Sequence, residues 1–184
     1  MEFDKLSPEL QKKVRECKTP EEIVALAREE GYEITDEELQ AVLKAGTYAP
    51  TAKGAQSPII IAVQKPEEVK AVVELNARFT PNPNPYYGAP TILLVLAPAG
   101  GYLADLDGAA VLTNLCNGAH AAGLGSCWIN RPQFMFETNE GRDMLKRWGV
   151  EGSWKGVGSV ALGYAAAPAP EPKPRKENYC YIVK

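Results

Sequence analysis

The chain has 184 residues, enough for one domain with a sizeable core and hardly enough for two. Hydrophobic residues make up 45% and charged residues 23%, the ordinary balance of a soluble globular protein, and a net charge of −3 supplies no broad positive field to attract nucleic acid. Met1–Lys5 is charged with no apolar run behind it, and the runs Pro58–Val63 and Ala89–Ala99 are too short and proline-broken for a membrane span, so neither a signal peptide nor a membrane is expected and a cytoplasmic location is the default.

Residues 8–46 read as three helices. Ser7-Pro8-Glu9-Leu10 offers an N-cap followed by proline at the first helical position. Thr19-Pro20-Glu21-Glu22 repeats the device, with Ile23, Leu26 and Ala27 on one face and Gly31 closing the helix. Thr35-Asp36-Glu37-Glu38 opens the third, whose apolar stripe is Leu39, Val42, Leu43 and Gly46. A loop over Tyr48–Ser57 leads to a strand at Pro58–Val63, apolar on consecutive positions and so expected to be buried on both faces. Helical spacing returns over 66–76 through Val69, Val72 and Val73. Thr80–Tyr87 holds three prolines and two asparagines and reads as a loop with a surface or lid role.

Thr91–Leu96 is a second buried strand, and Asp105–Ala122 a long helix so rich in Ala, Gly, Leu and Val that it must be covered on most sides, a second subunit being one source of cover. A third strand covers Ser126–Ile129, a helix covers Thr138–Trp148, and a fourth strand runs over Gly156–Tyr164. Ala165–Pro174 is too proline-rich for regular helix or central strand. Tyr179–Val183 is strand-like and suited to pairing with another chain's sheet. The expected class is α+β, with helices around a sheet of about four strands and a possible donated one.

Nothing in the chain makes a convincing nucleophile–base pair. His120 is the lone histidine and falls inside an apolar helix, and Cys17, Cys116, Cys127 and Cys180 lack the spacing of a metal site, so the cysteines read as free thiols in a reducing compartment. There is no phosphate loop, and Gly123-Leu124-Gly125 follows a helix instead of a strand, as a helix C-cap does. An enzyme built this way leaves the hard chemistry to a cofactor.

Several segments, taken in order, resemble the nitroreductase family. They are Ile34–Leu39, Ala45–Thr51, Gln56-Ser57-Pro58, Tyr87–Pro90, Asp107–Ala110, Asn114-Leu115, Ala122–Ser126 with Trp128, Leu162-Gly163-Tyr164 and Lys173-Pro174-Arg175. Together they cover about residues 34–184, over four-fifths of the chain. The resemblance implies a nitroreductase-like fold with a mostly antiparallel sheet, its C-terminal strand possibly donated across a homodimer. It implies FMN at each interface, NAD(P)H as reductant, hydride passing through flavin N5, and a small acceptor such as a quinone or nitroaromatic. Lys173 and Arg175 would grip the FMN phosphate. Pro50, Thr51, Ala52 and Lys53 would meet the ring and ribityl chain, Gln56 would bond the ring edge, and the backbone N–H groups of Asn130 and Arg131 would face N5 and O4. The plain alternatives are a solvated basic tail, an ordinary helix-to-strand connection and an exposed strand end.

Two departures from that family stand out. Gly54 occupies a position where many members have an asparagine that bonds the flavin, though some have glycine. The Arg-x-Ser-x-Arg helix that usually precedes the Ile34–Leu39 segment is missing, its nearest counterpart being Lys12-Lys13-Val14-Arg15. Instead Leu6–Gly46 resembles the nif-type leader peptides of modified natural products, through Thr19–Glu22, Ala25-Leu26-Ala27, Glu30-Gly31-Tyr32 and Thr35–Leu39. The expected division is a helical segment at 1–33 and a flavin domain at 34–184. The alternative function is a binding protein of the same fold with weak or absent FMN, using its N-terminal helices to recognise a partner.

Overall fold

The structure, a computed structural model, describes residues 6–19, 22, 23, 26, 34–165 and 171–184. Helix α1 is Pro8–Glu16, capped as expected by the Ser7 hydroxyl, which accepts from the Leu10 N–H at 3.2 Å. The second expected helix lies largely outside the described residues. Helix α2, Asp36–Thr47, begins in a full capping box: the Thr35 hydroxyl accepts from the Glu38 N–H at 3.1 Å, and the Glu38 carboxylate accepts from the Thr35 N–H at 2.8 Å.

A short 3-10 turn, Ala52–Gly54, then leads to β1 (Ile59–Val63), α3 (Pro66–Ala77), β2 (Thr91–Pro98), α4 (Ala104–Ala121), β3 (Gly125–Ile129), α5 (Pro132–Glu137), α6 (Asn139–Arg147) and β4 (Trp154–Gly163). The strands form one sheet in the order β1-β2-β4-β3, with every neighbouring pair antiparallel. The fold is the α+β arrangement that the pattern of elements calls for.

Alternation along β2 builds two cores. Leu93 and Val95 join Val160, Leu162, Leu39 and Val42 of α2, and Leu112 and Leu115 of α4 on one face. Ile92, Leu94 and Leu96 join Val72 and Leu75 of α3, Met135 of α5, and Met144 and Leu145 of α6 on the other. Side chains two apart share a face, so a strand buried on both faces must be apolar at consecutive positions, as β2 is. Each fully buried leucine contributes about 1.5–3 kcal/mol to the fold.

Five expectations change or gain detail. β1 is only partly buried, because it is an edge strand; Ile59, Ile60 and Ile61 are intermediate. The apolar helix α4 is covered largely by its own chain: it lies between α2 and the sheet, and Gly118 lets α2 approach so closely that an added Cβ would sit 2.6 Å from Ala45 Cβ. The segment expected as one helix at 138–148 is preceded by a separate helix, α5, with Thr138 as the last cap of α5 and the first of α6. Residues 179–183 form no strand in the single chain; they are exposed, and the sheet's order includes no C-terminal strand among the described residues. The loop at 80–87, expected as surface or lid, is exposed at Pro81–Pro83 but held near its end, where Tyr86 is fully buried.

Candidate functional site

The connection from α2 to β1 has a specific shape. Lys53 (φ 54°) and Gln56 (φ 49°) are left-handed although neither is glycine, and Gly54 (φ 64°) lies between them. Such backbone costs about 1–2 kcal/mol per non-glycine residue and needs support from its surroundings. Asp107, in the first turn of α4, supplies it. One carboxylate oxygen accepts from the Ala52 N–H at 2.8 Å, and the other accepts from the Ser57 hydroxyl at 3.3 Å. The helix N-terminus favours the negative charge, and the loop satisfies its oxygens. Inside the loop the Gln56 N–H donates to the Thr51 hydroxyl at 2.9 Å.

Two grooves flank this loop. The larger, about 420 Å³, is lined by Thr51 and Gln56 with apolar walls from Leu43, Ala49, Pro58, Ile59, Ile60 and Val111. The smaller, about 240 Å³, runs past Ala52, Lys53, Ala55, Ser57, Tyr102 and Asp107. An apolar cleft with a few aimed polar groups is the usual form of a site for a planar organic cofactor. Pro50 is exposed beside them. An added Cβ at Gly54 meets nothing within 4 Å, and asparagine tolerates left-handed backbone, so glycine there leaves open space and no strain.

At the far edge of the sheet, Asn130 is exposed at the end of β3 and Arg131 caps α5 with φ 85°. Asn76, at the end of α3 and fully buried, donates to the Asn130 carbonyl at 3.1 Å and accepts from the Arg131 Nε–H at 3.0 Å. The Ser159 hydroxyl donates to the Ile129 carbonyl at 3.1 Å and bonds the Tyr86 hydroxyl at 2.9 Å. Burial pushes the Tyr86 phenol up to about 12, against the opposing pull of its bonds to Ser159 and Asn76 and of the Arg131 charge, so it stays protonated. The Trp128 indole N–H donates to the Asn130 side-chain oxygen at 3.1 Å.

Lys173 and Arg175 are exposed and make no ion pair among the described residues. Their neighbour Lys176 lies over the Tyr179 ring, 5.5 Å from its centroid. Neither groove includes Asn130, Arg131, Lys173 or Arg175, so the single chain brings together the loop residues Thr51, Ala52, Lys53 and Gln56 but not the whole expected set. His120 is exposed in the last turn of α4, not enclosed as its apolar helix suggested. Burial raises the Cys116 thiol above its usual range, which suits a structural thiol better than a nucleophile. Asp107, Asn76, Tyr86 and Ser159 hold these two turns in place, and their local sequence does not single them out for that role. A signal existed for the first: an acid in the first turn of so apolar a helix, if buried, must have partners.

A nitroreductase with bound FMN from Bacteroides fragilis matches the chain with 25% identity and a TM-score of 0.73, over 97% of this chain and 100% of that one. The chain has the nitroreductase fold. A nitroreductase with bound FMN from Desulfitobacterium hafniense (22% identity, 82% of this chain and 88% of that one, TM-score 0.71) is also similar in structure. So is an FMN-dependent nitroreductase from Clostridium difficile (18% identity, 82% and 90%, TM-score 0.70). Residues 5–39 match the Nif11 domain, as the leader-like features of that segment led one to expect. No curated protein matches the chain.

The Nif11 match ends inside α2, at residue 39. Glu38, besides its capping box, accepts from the Tyr164 hydroxyl at 2.8 Å, tying the start of α2 to the end of β4. Burial works to raise the Glu38 carboxyl, but the Thr35 N–H and the Tyr164 hydroxyl outweigh it and hold it below the usual range. Tyr164 is pushed up to about 12 by burial and by the same carboxylate. Among the described residues no helix is long and apolar enough to cross a membrane.

Proposed function

We propose that the protein is an FMN-dependent oxidoreductase that takes hydride from NAD(P)H and passes it, through flavin N5, to a small acceptor such as a quinone or nitroaromatic. The observation that carries this reading is the correspondence of nearly the whole chain with a nitroreductase solved with FMN bound. Bound FMN would supply the two-electron chemistry; the chain's own task is to bind, orient and polarise it.

The residues present fit such a group. The larger groove offers flat apolar walls to a ring system, with Thr51 and Gln56 at its polar edge and Pro50, Ala52 and Lys53 beside it. Lys173 and Arg175 have no competing carboxylate among the described residues, and Arg175 brings a planar fork suited to a phosphate. The loop enters β1 and the Asn130–Arg131 turn leaves β3, and these strands are opposite edges of the sheet, three inter-strand spacings or about 14 Å apart. That separation favours a homodimer in which one chain lends the loop and its partner lends the turn, with Tyr179–Val183 reaching across. A cytoplasmic location is part of the same proposal, as is a division into residues 1–33 and a flavin domain at 34–184.

Flavin titration of the FMN-free protein tests the clamp. Arg175→Ala removes a charge-assisted phosphate bond worth about 1.5–3 kcal/mol, so FMN affinity falls roughly ten- to a hundredfold. Unchanged affinity rejects the assignment of Arg175.

The Nif11 match favours a second reading, in which the fold is kept, FMN binds weakly or not at all, and the N-terminal helices recognise a partner. Capture of a partner through residues 6–34 without any NAD(P)H oxidation would favour it.

A further inference from the structure

Resting on the flavin reading, we propose that Asn76, with Tyr86 and Ser159, is a positioning device that fixes the peptide N–H groups of Asn130 and Arg131 against the flavin's N5 edge.

Peptide planarity couples each held carbonyl to the N–H that follows it. In a trans peptide the carbonyl of one residue and the N–H of the next point in opposite directions within one rigid plane. Fixing the Ile129 carbonyl therefore aims the Asn130 N–H, and fixing the Asn130 carbonyl aims the Arg131 N–H. Both carbonyls are held: the first by the Ser159 hydroxyl at 3.1 Å, the second by the Asn76 amide at 3.1 Å.

The directions of these bonds leave little freedom. Ser159 has one proton and spends it on Ile129, so it accepts from Tyr86. The Tyr86 oxygen in turn accepts from the Asn76 amide at 3.2 Å. The Asn76 oxygen takes the Arg131 Nε–H, a group that can only donate, which sets the amide's orientation. One chain of donors thus runs from Asn76 through Tyr86 and Ser159 to Ile129, while a second bond from Asn76 reaches Asn130. Asn76, Tyr86 and Ser159 are all fully buried, so water cannot substitute for a lost partner. The device also holds Arg131 in its left-handed conformation, which a non-glycine residue keeps only under such restraint. Its base is firm: α3, which carries Asn76, is tied to α6 by the paired bonds of Arg147 with Glu68 at 3.0 and 2.7 Å.

A structural role alone would alter stability; a positioning role also alters how the site distinguishes reduced from oxidised flavin. The reduced ring carries more negative charge at the edge those N–H groups would face, so a loosened turn weakens reduced FMN more than oxidised FMN. Ser159→Ala, a small change, and Asn76→Leu, close in shape, are compared with wild type and with Thr35→Ala, a destabilised control at the α2 cap. The readouts are the midpoint potential of bound FMN and the amide exchange of Asn130 and Arg131 in the FMN-bound protein. Each site variant should lower the preference for reduced flavin about tenfold, a shift of about 30 mV to more negative potential, and speed exchange at both amides, while Thr35→Ala moves neither. Should Asn76→Leu fail to fold, Ser159→Ala alone decides. Unchanged potential and exchange in a variant that binds FMN overturn the positioning role and leave the flavin reading standing. A wild-type protein that takes up no FMN overturns both.

Discussion

At the entry to β1, residues 51–57 hold two non-glycine residues in left-handed backbone and hang from a single charged acceptor, Asp107, on a helix N-terminus. At the exit of β3, one such residue, Arg131, sits against neutral groups buried in the core, and two successive carbonyls are tied down. The first is a largely exposed loop whose buried anchor, Asp107, still borders an open groove; the second has its anchors fully sealed from water. A charge at a helix end can hold a loop that a ligand is free to adjust, whereas a buried amide and two hydroxyls hold a turn in one shape before any ligand arrives. The difference suits the proposed site, in which the loop lies along the ring and ribityl chain and the turn aims donors at the reacting edge.

The comparison predicts unequal costs. Asn76→Leu leaves the Asn130 carbonyl and the Arg131 guanidinium without their buried partner, and should cost about 3 kcal/mol of stability in urea unfolding. A loss below about 1 kcal/mol would mean that the turn does not depend on this amide. Asp107→Asn keeps an acceptor for the Ala52 N–H but loses the charge at the helix end, so about 1–2 kcal/mol is expected by the same method. An effect as large as that of Asn76→Leu would erase the distinction between the two anchors.

The last effect is confined to alkaline pH. Tyr86 and Tyr164 both have folded values near 12, raised from 10, so each favours the protonated folded form. Their contribution is complete below pH 10 and is lost as pH rises through 12, because over that range the unfolded chain has released protons that the folded chain retains. Unfolding midpoints should therefore fall between pH 10 and 12, and fall less steeply in Tyr86→Phe. Identical slopes would place the alkaline sensitivity elsewhere.

Local signals made much of the fold legible. Ser7-Pro8 and the Thr35/Glu38 box are short-range devices whose chemistry is complete within four residues, and both appear as read. The continuous apolar run of β2 needed only period-two geometry to be read as a doubly buried strand. What escaped depended on distant partners. Helix α5 begins after a left-handed arginine whose support comes from Asn76, 55 residues away, and only Pro132 at its first position hinted at it. Asn76 looked like an ordinary polar residue near a helix end, and Tyr86 like part of a flexible proline-rich loop, because nothing local reveals that the two meet in the core. Tyr179–Val183 pairs with neither edge strand of its own chain's sheet, β1 or β3, so the strand-like pattern alone does not make a strand there. Of the expected set, the residues of one local loop lie together because they are neighbours in sequence, whereas nothing local reveals that Asn130 and Arg131 follow the opposite edge strand.

The account stands or falls on the cofactor, and its most direct test is the visible absorbance of the purified protein together with its mass in solution. The account predicts a yellow two-chain particle that releases one FMN per chain on denaturation. A colourless single chain that takes up no added FMN would contradict it.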